Sequence, residues 1–218
     1  MEATARGQSV EYRDMQIDDL PAAAELHREV FQDYFLGHMG QRFLELLYSE
    51  FVSKSGTYAI VAESNGRLVG TVIGAVDLDP VFSEFYRGHF LALGWQVLIR
   101  FVRDGYIRRH IASRLPNAVS ALRSRFGLGK PSEPIVVVWP RPQLLSIGVS
   151  RSERGTGVAS ELITRFCARM ADDGVDAVGL SVRTDNPRAI AFYERMGWTR
   201  GENSGGSATF HRRLNAEA

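Results

Sequence analysis

At 218 residues the chain can build one full domain with its own core but not two comfortable ones. Hydrophobic residues make up 44% and charged residues 23%, which excludes a disordered or low-complexity chain. A net charge of +1 supplies no general attraction for nucleic acid, and none is expected as a partner.

In chain order, Val10 to Met15 alternates as a first strand. Asp18-Asp19-Leu20-Pro21 then supplies a cap with proline near the first helical turn. Leu26, Val30 and Phe31 continue an apolar face as far as Phe35 and a break at Gly37. Gln41 to Val52 predicts a second amphipathic helix, with Phe43, Leu46, Leu47 and Phe51 at helical spacing. Tyr58–Glu63 and Leu68–Val76 read as a hairpin about Ser64-Asn65-Gly66. Residues 79–133 break this rhythm and predict a helical insertion within a single domain spanning 1–218. In it nine basic residues face four acidic ones. Ile135–Trp139 and Leu144–Val149 are strand material. The next helix carries Val158, Leu162, Ile163, Phe166 and Met170 on one face and stops at Gly174. Val178, Leu180 and Val182 alternate as a strand, Asn186-Pro187 opens a short helix ended by Gly197, and Ala208–Leu214 makes a last strand.

The stretch Arg151-Ser-Glu-Arg154-Gly155-Thr156-Gly157-Val158-Ala159 carries a chain from strand to helix with little side-chain bulk. Glycines there permit unusual dihedrals and close approach of another molecule. The helix that follows turns unpaired amides and a positive dipole end outward, which suits a pyrophosphate, and Arg154 adds fixed positive charge. By itself this spacing is equally compatible with a plain structural connection. It is neither G-x-G-x-x-G, because Ser160 stands at the third glycine, nor a P-loop at Gly129-Lys130-Pro131.

About thirty residues downstream comes Asn186-Pro-Arg-Ala189-Ile-Ala-Phe192-Tyr193-Glu-Arg-Met-Gly197-Trp198. With Arg154-x-x-Gly157-x-Ala159 before it, the sequence resembles the GNAT superfamily of N-acetyltransferases. The resemblance is strong over 144–200, moderate over 10–77 and absent over 79–133. It implies an α/β (α+β) fold: a mixed, mostly antiparallel sheet with two splayed parallel strands, helices on both faces, and acetyl-CoA as co-substrate bound by residues 144–200. Ile147, Gly148 and Val149 would offer backbone groups to the pantetheine arm. The segment Arg154, Gly155, Thr156, Gly157, Val158 and Ala159 would hold the pyrophosphate. Asn186 matches a cofactor-contacting position and is equally a helix N-cap. Tyr193 matches the general acid, since a phenol with a reference pKa of about 10 keeps its proton at neutral pH.

The resemblance implies transfer of an acetyl group to a small-molecule amine, an amino sugar or amino-acid derivative, by direct attack. A protein-acetylating enzyme is a further possibility within that class, and the alternative to it is a catalytically silent acyl-CoA-binding sensor or scaffold. Leu144–Val149 holds no carboxylate to act as base. Asp33, His38, Glu63 and Asp77 are candidates, as is a water chain, and Asp33, Tyr34 and His38 are the expected acceptor-side residues. Cys167 reads as a buried structural thiol. The histidines show no metal-ligand spacing, and no metal is expected. The insertion reads as a helical subdomain, as a cationic wall of the acceptor site, or, through 88–109, as a contact for a membrane surface or a second copy of the chain. The apolar stretch Phe90–Val102 contains Gln96 and Arg100 and is too short to span a bilayer. One cysteine, and an N-terminus without the apolar run of a signal peptide, make a cytoplasmic location the expectation.

Overall fold

The computed structural model describes residues 9–52, 54–89 and 142–214. The strand expected at Ile135–Trp139 and nearly all of the insertion lie outside them. Seven strands form one sheet in the order β1-β2-β3-β4-β5-β7-β6. They are β1 (Glu11–Asp14), β2 (Thr57–Ser64), β3 (Arg67–Ala75), β4 (Gln143–Val149), β5 (Ala177–Arg183), β6 (Thr199–Ser204) and β7 (Ser207–Arg213). All pairings are antiparallel except β4 with β5. The fold is the mixed, mostly antiparallel α/β architecture expected from sequence.

Helices cover both faces. On one lie α1 (Leu20–Val30), the single turn α2 (Phe35–His38), α3 (Gln41–Val52) and α4 (residues 78–89). They bury Leu44, Leu47, Tyr48, Phe51 and Phe85 against Ile73 and Ala75. Leu78, Val81 and Phe85 recur at helical spacing, so the start of the block read as an insertion is part of this core. On the other face α5 (Val158–Asp172) and α6 (Pro187–Arg195) bury Leu162, Ile163, Phe166, Met170 and Tyr193 against Val72, Leu180 and Phe210.

Three local readings are corrected. Gly37 does not break a helix: it lies within α2, where a Cβ would stand 2.1 Å from the Phe31 carbonyl oxygen. Asp19 does not cap α1 with its side chain. Its carboxylate accepts from the Gln16 amide (2.7 Å) and from Arg13 (2.6 Å), and Arg13 also pairs with Glu63 at 2.7 Å. β6 has no apolar alternation and went unread. It is an edge strand of polar residues, joined to β7 through Gly205 and Gly206, both at positive φ.

Two glycines set how closely the layers approach. A Cβ at Gly70 would meet Leu162 at 2.8 Å and Val158 at 3.1 Å, so the first turns of α5 rest directly on β3. One at Gly74 would stand 2.4 Å from the Gln143 carbonyl oxygen and 2.5 Å from the Phe166 ring. Among the described residues no helix is long and apolar enough to cross a membrane.

His27 is buried between α1 and α3, its Nδ1 3.0 Å from the Tyr48 hydroxyl, and burial pushes its pKa down to about 4. The unfolded chain therefore takes up this proton first as pH falls. Stability is complete above about pH 6.5 and is lost between there and pH 4, by up to about 3 kcal/mol. Urea midpoints measured across this range should fall more steeply for the wild type than for His27→Gln.

Candidate functional site

Among the described residues the parallel strands meet at one pair, Gln143 with Gly179, supported by the Gly179 amide donating to the Pro142 carbonyl at 2.8 Å. Beyond it β4 and β5 diverge. The β4 register against β3 passes from Ile73–Ser146 to Gly74–Leu144, leaving Leu145 as a bulge where the divergence begins.

Alternation fixes what β4 presents to the gap. The Ser150 amide donates to the Val69 carbonyl at 2.8 Å, toward β3. Successive residues point their peptide groups to opposite sides, so Gly148 and Ser146 also bond toward β3. Ile147 and Val149 turn their N–H and C=O groups into the gap. Of the three strand residues singled out from sequence, Gly148 thus serves differently: a Cβ there would meet the Phe31 ring at 3.0 Å, and its bareness admits the end of α1.

The glycine-rich loop follows at the open end. Residues Arg151–Glu153 form a 3-10 turn, and Gly155 and Gly157 take φ of 87° and 97°. Among the described residues, chain neighbours apart, no atom lies within 4 Å of a Cβ built on either. Chain packing therefore does not require glycine here; the left-handed backbone does, and the space beside it is open. The first helical bond of α5 runs from the Glu161 amide to the Gly157 carbonyl at 3.0 Å. The amides of Val158, Ala159 and Ser160 precede it and have no carbonyl behind them, and Gly157 offers no side-chain cap. Arg154 and Thr156 are exposed on this loop. Because Gly70, beneath Val158, pairs with Val149, these amides begin where β4 ends.

The opposite side of the gap is closed by the segment after α1. Phe31 packs on β4, while Tyr34 accepts a hydrogen bond from Asn186 Nδ2 at 3.0 Å and lies under the Arg183 guanidinium, 5.0 Å from the ring centre. Arg183 also donates to the Asp33 carbonyl at 3.3 Å and pairs with Asp185. Residues 31–34 therefore bridge β4 to the end of β5. Asn186 is the N-cap of α6, accepting from the Ala189 amide at 3.1 Å. Its whole side chain is engaged inside the protein, and Arg183 and Phe31 join the site unread from sequence. Tyr193 is buried with Phe192, Trp198 and Phe210 around its ring. Burial, and then the nearby Tyr34, push its pKa well up.

Topology separates the candidate bases. Glu63 sits two strands from β4 and is held by Arg13. Asp77 follows β3 at the closed end, beyond the Ala75–Gln143 pair. Asp33 belongs to the bridging segment, and His38 ends α2 just after it. Cys167 is buried in the core and burial raises its thiol to about 11, so it stays protonated. Among the described residues no three His, Cys, Asp or Glu side chains cluster as a metal site.

A seven-stranded sheet with one splayed parallel pair, a glycine loop at the splay and a helix rising from it defines the GNAT fold. Residues 135–198 match the model of the Acetyltransferase (GNAT) family. An N-alpha-acetyltransferase, MAK3, of Arabidopsis thaliana is 37% identical over 60 residues, 28% of this chain and 32% of that one. A mycothiol acetyltransferase of Corynebacterium aurimucosum is 38% identical over 53 residues, 24% of this chain and 17% of its own. The matched stretches thus span a third or less of those relatives. The PaiA N-acetyltransferase of Thermoplasma acidophilum, solved with coenzyme A, aligns over 94% of this chain and 99% of its own, at TM-score 0.54 and 13% identity.

Asn186→Ala removes both the α6 cap and the tie to Tyr34 and should lower stability by about 1–2 kcal/mol. Asn186→Asp keeps the capping oxygen and should lose less. Urea denaturation of the two variants checks the order.

Proposed function

We propose that the chain is an N-acyltransferase that moves an acetyl group from acetyl-CoA to the amine of a small molecule. The observation that carries this is the juxtaposition of the strand gap with the unpaired amides of the α5 N-terminus. One is a slot lined by the free peptide groups of Ile147 and Val149. The other is a cluster of N–H donors with open space beside Gly155 and Gly157. An extended amide-bearing arm ending in a pyrophosphate matches both at once. The family match over 135–198 and the coenzyme A complex of the PaiA neighbour support acetyl-CoA as that ligand. Arg154, exposed on the loop, supplies charge to the pyrophosphate.

In this reading the amine nitrogen attacks the thioester carbon, an N–C bond forms, and the C–S bond breaks with its electron pair leaving on sulfur. The Val149 amide, turned into the gap, donates to the oxyanion in this reading. Tyr193 donates to the departing thiolate; its raised pKa keeps it protonated throughout the working range. The 31–34 bridge covers the acceptor side, which favours a small amine over a folded protein surface. The relatives named above include both an N-alpha-acetyltransferase and a mycothiol acetyltransferase, so the acceptor panel includes a peptide amine.

Calorimetry should give micromolar binding of acetyl-CoA to the wild type and none to Gly157→Glu, with the far-UV circular dichroism of the two alike. Free CoA is then followed with glucosamine, spermidine, alanine amide and an N-terminally free tetrapeptide. Tyr193→Phe should lower kcat by about 100-fold with acetyl-CoA affinity retained. Absence of wild-type binding overturns the proposal; binding without turnover of any amine leaves a silent acyl-CoA sensor.

A further inference from the structure

A continuous path of side chains spans the mouth of the gap on the α1 side. Phe31 lies against Gly148, the residue before Val149 on β4. The Phe31 and Tyr34 rings meet edge to face with their centres 5.4 Å apart. The Tyr34 hydroxyl then meets Asn186 Nδ2 at 3.0 Å, just past the end of β5. The levels along the strands agree as well. Counted on from the Gln143–Gly179 pair, with Leu145 bulged out of register, Val149 stands level with the Thr184-Asp185 turn that leads into Asn186. Tyr34 is half-buried at this level, on the β5 side of the gap.

Asn186 fixes the sense of its contact with Tyr34. The Ala189 amide can only donate, so the Asn186 oxygen faces it and the NH2 group is left for Tyr34. The Tyr34 oxygen therefore accepts. A phenol proton keeps to the plane of its ring, where two positions are open to it. The Asn186 N–H takes up one side, and the Tyr34 proton is left with the other. Among the described residues no group accepts that proton. The ring is held as well, by the Arg183 guanidinium over its face, 5.0 Å from the centre, and by Phe31. The result is an oriented donor at the mouth of the gap that no internal bond consumes.

We propose that Tyr34 is a second hydrogen-bond donor to the thioester oxygen, across the gap from the Val149 amide, with Asn186 as its positioning residue. A donor is the wrong partner for the attacking amine, because it would occupy the lone pair that must reach the carbonyl carbon. The thioester oxygen gains negative charge during the attack, and a donor from each wall of the gap stabilises that charge more than the ground state. The proton stays on Tyr34 throughout; it is shared with the oxygen and not transferred. Tyr193, enclosed by Phe192, Trp198 and Phe210, is left to the sulfur. This rests on the acetyltransferase reading above.

The test uses the full chain and the fastest of the four amines. Tyr34→Phe keeps the ring and removes only the hydroxyl. It should lower kcat about 100-fold, with the acetyl-CoA dissociation constant within about two-fold of the wild type. Infrared spectra of bound acetyl-CoA, carbon-13 labelled at the carbonyl, should show the C=O stretch at higher frequency in this variant, a change that a merely structural role would not produce. Asn186→Asp turns an oxygen toward Tyr34 and captures its proton, so kcat should fall about as far. Added to Tyr34→Phe it should then cost little more. The inference is overturned by an unchanged kcat in Tyr34→Phe, by a carbonyl band that does not move, or by fully additive losses in the double variant. A wild type that fails to bind acetyl-CoA, or to release CoA with any of the amines, removes the underlying reading before a variant is made.

Discussion

Everything at this site follows from two adjacent parallel strands being allowed to touch at one pair and then forced apart. Gln143 and Gly179 hold the strands together at the closed end, and the Leu145 bulge turns β4 away immediately afterwards. Gly74 makes the bulge affordable in space, because any side chain there would collide with the Gln143 carbonyl and the Phe166 ring. The peptide groups of Ile147 and Val149 are left without a strand in the middle of a sheet. Unmet polar groups in such a place cost about 1–3 kcal/mol each. A ligand carrying its own amides recovers part of that cost by acting as the missing strand.

The two cores keep the gap from collapsing, and each furnishes one kind of chemistry. On one face α5 is drawn onto Gly70 by Val158 and Leu162, which fixes its unpaired amides beside the end of β4. That face offers backbone donors and dipole, suited to phosphate. On the other, Phe31 fills the space left by Gly148, and Tyr34 reaches across to Asn186 and Arg183. That face offers side chains. A gap with donors at one mouth and a side-chain wall at the other suits the two-substrate reading proposed above.

Much of this was legible from residue patterns, and the illegible parts share a cause. The α5 stripe Val158, Leu162, Ile163, Phe166 and Met170 is local periodicity, and all five residues are buried. Asn186 before a proline is a local cap signal, and the cap is there. Gly37 misled because a glycine demanded by a distant contact, the Phe31 carbonyl, looks the same in sequence as one that ends a helix. β6 was missed because an exposed edge strand needs no apolar alternation. Glu63 and Asp77 looked equivalent to Asp33 until sheet order set one two strands away and the other at the closed end.

Proton accounting narrows what remains for the chemistry. Tyr193 is held in its protonated form by burial and by Tyr34, so it can give a hydrogen bond to a thiolate and cannot take a proton from an amine. Asp185, at the end of β5, is kept ionised by the Arg183 guanidinium, which also weakens it as a base. His27 is kept neutral by burial, and its Nδ1 is engaged with the Tyr48 hydroxyl. None of these three groups is poised to collect a proton. On the reading proposed above, such a site would work by geometry, holding thioester and amine at the right angle, donating to the oxyanion and the sulfur, and leaving the ammonium proton to solvent.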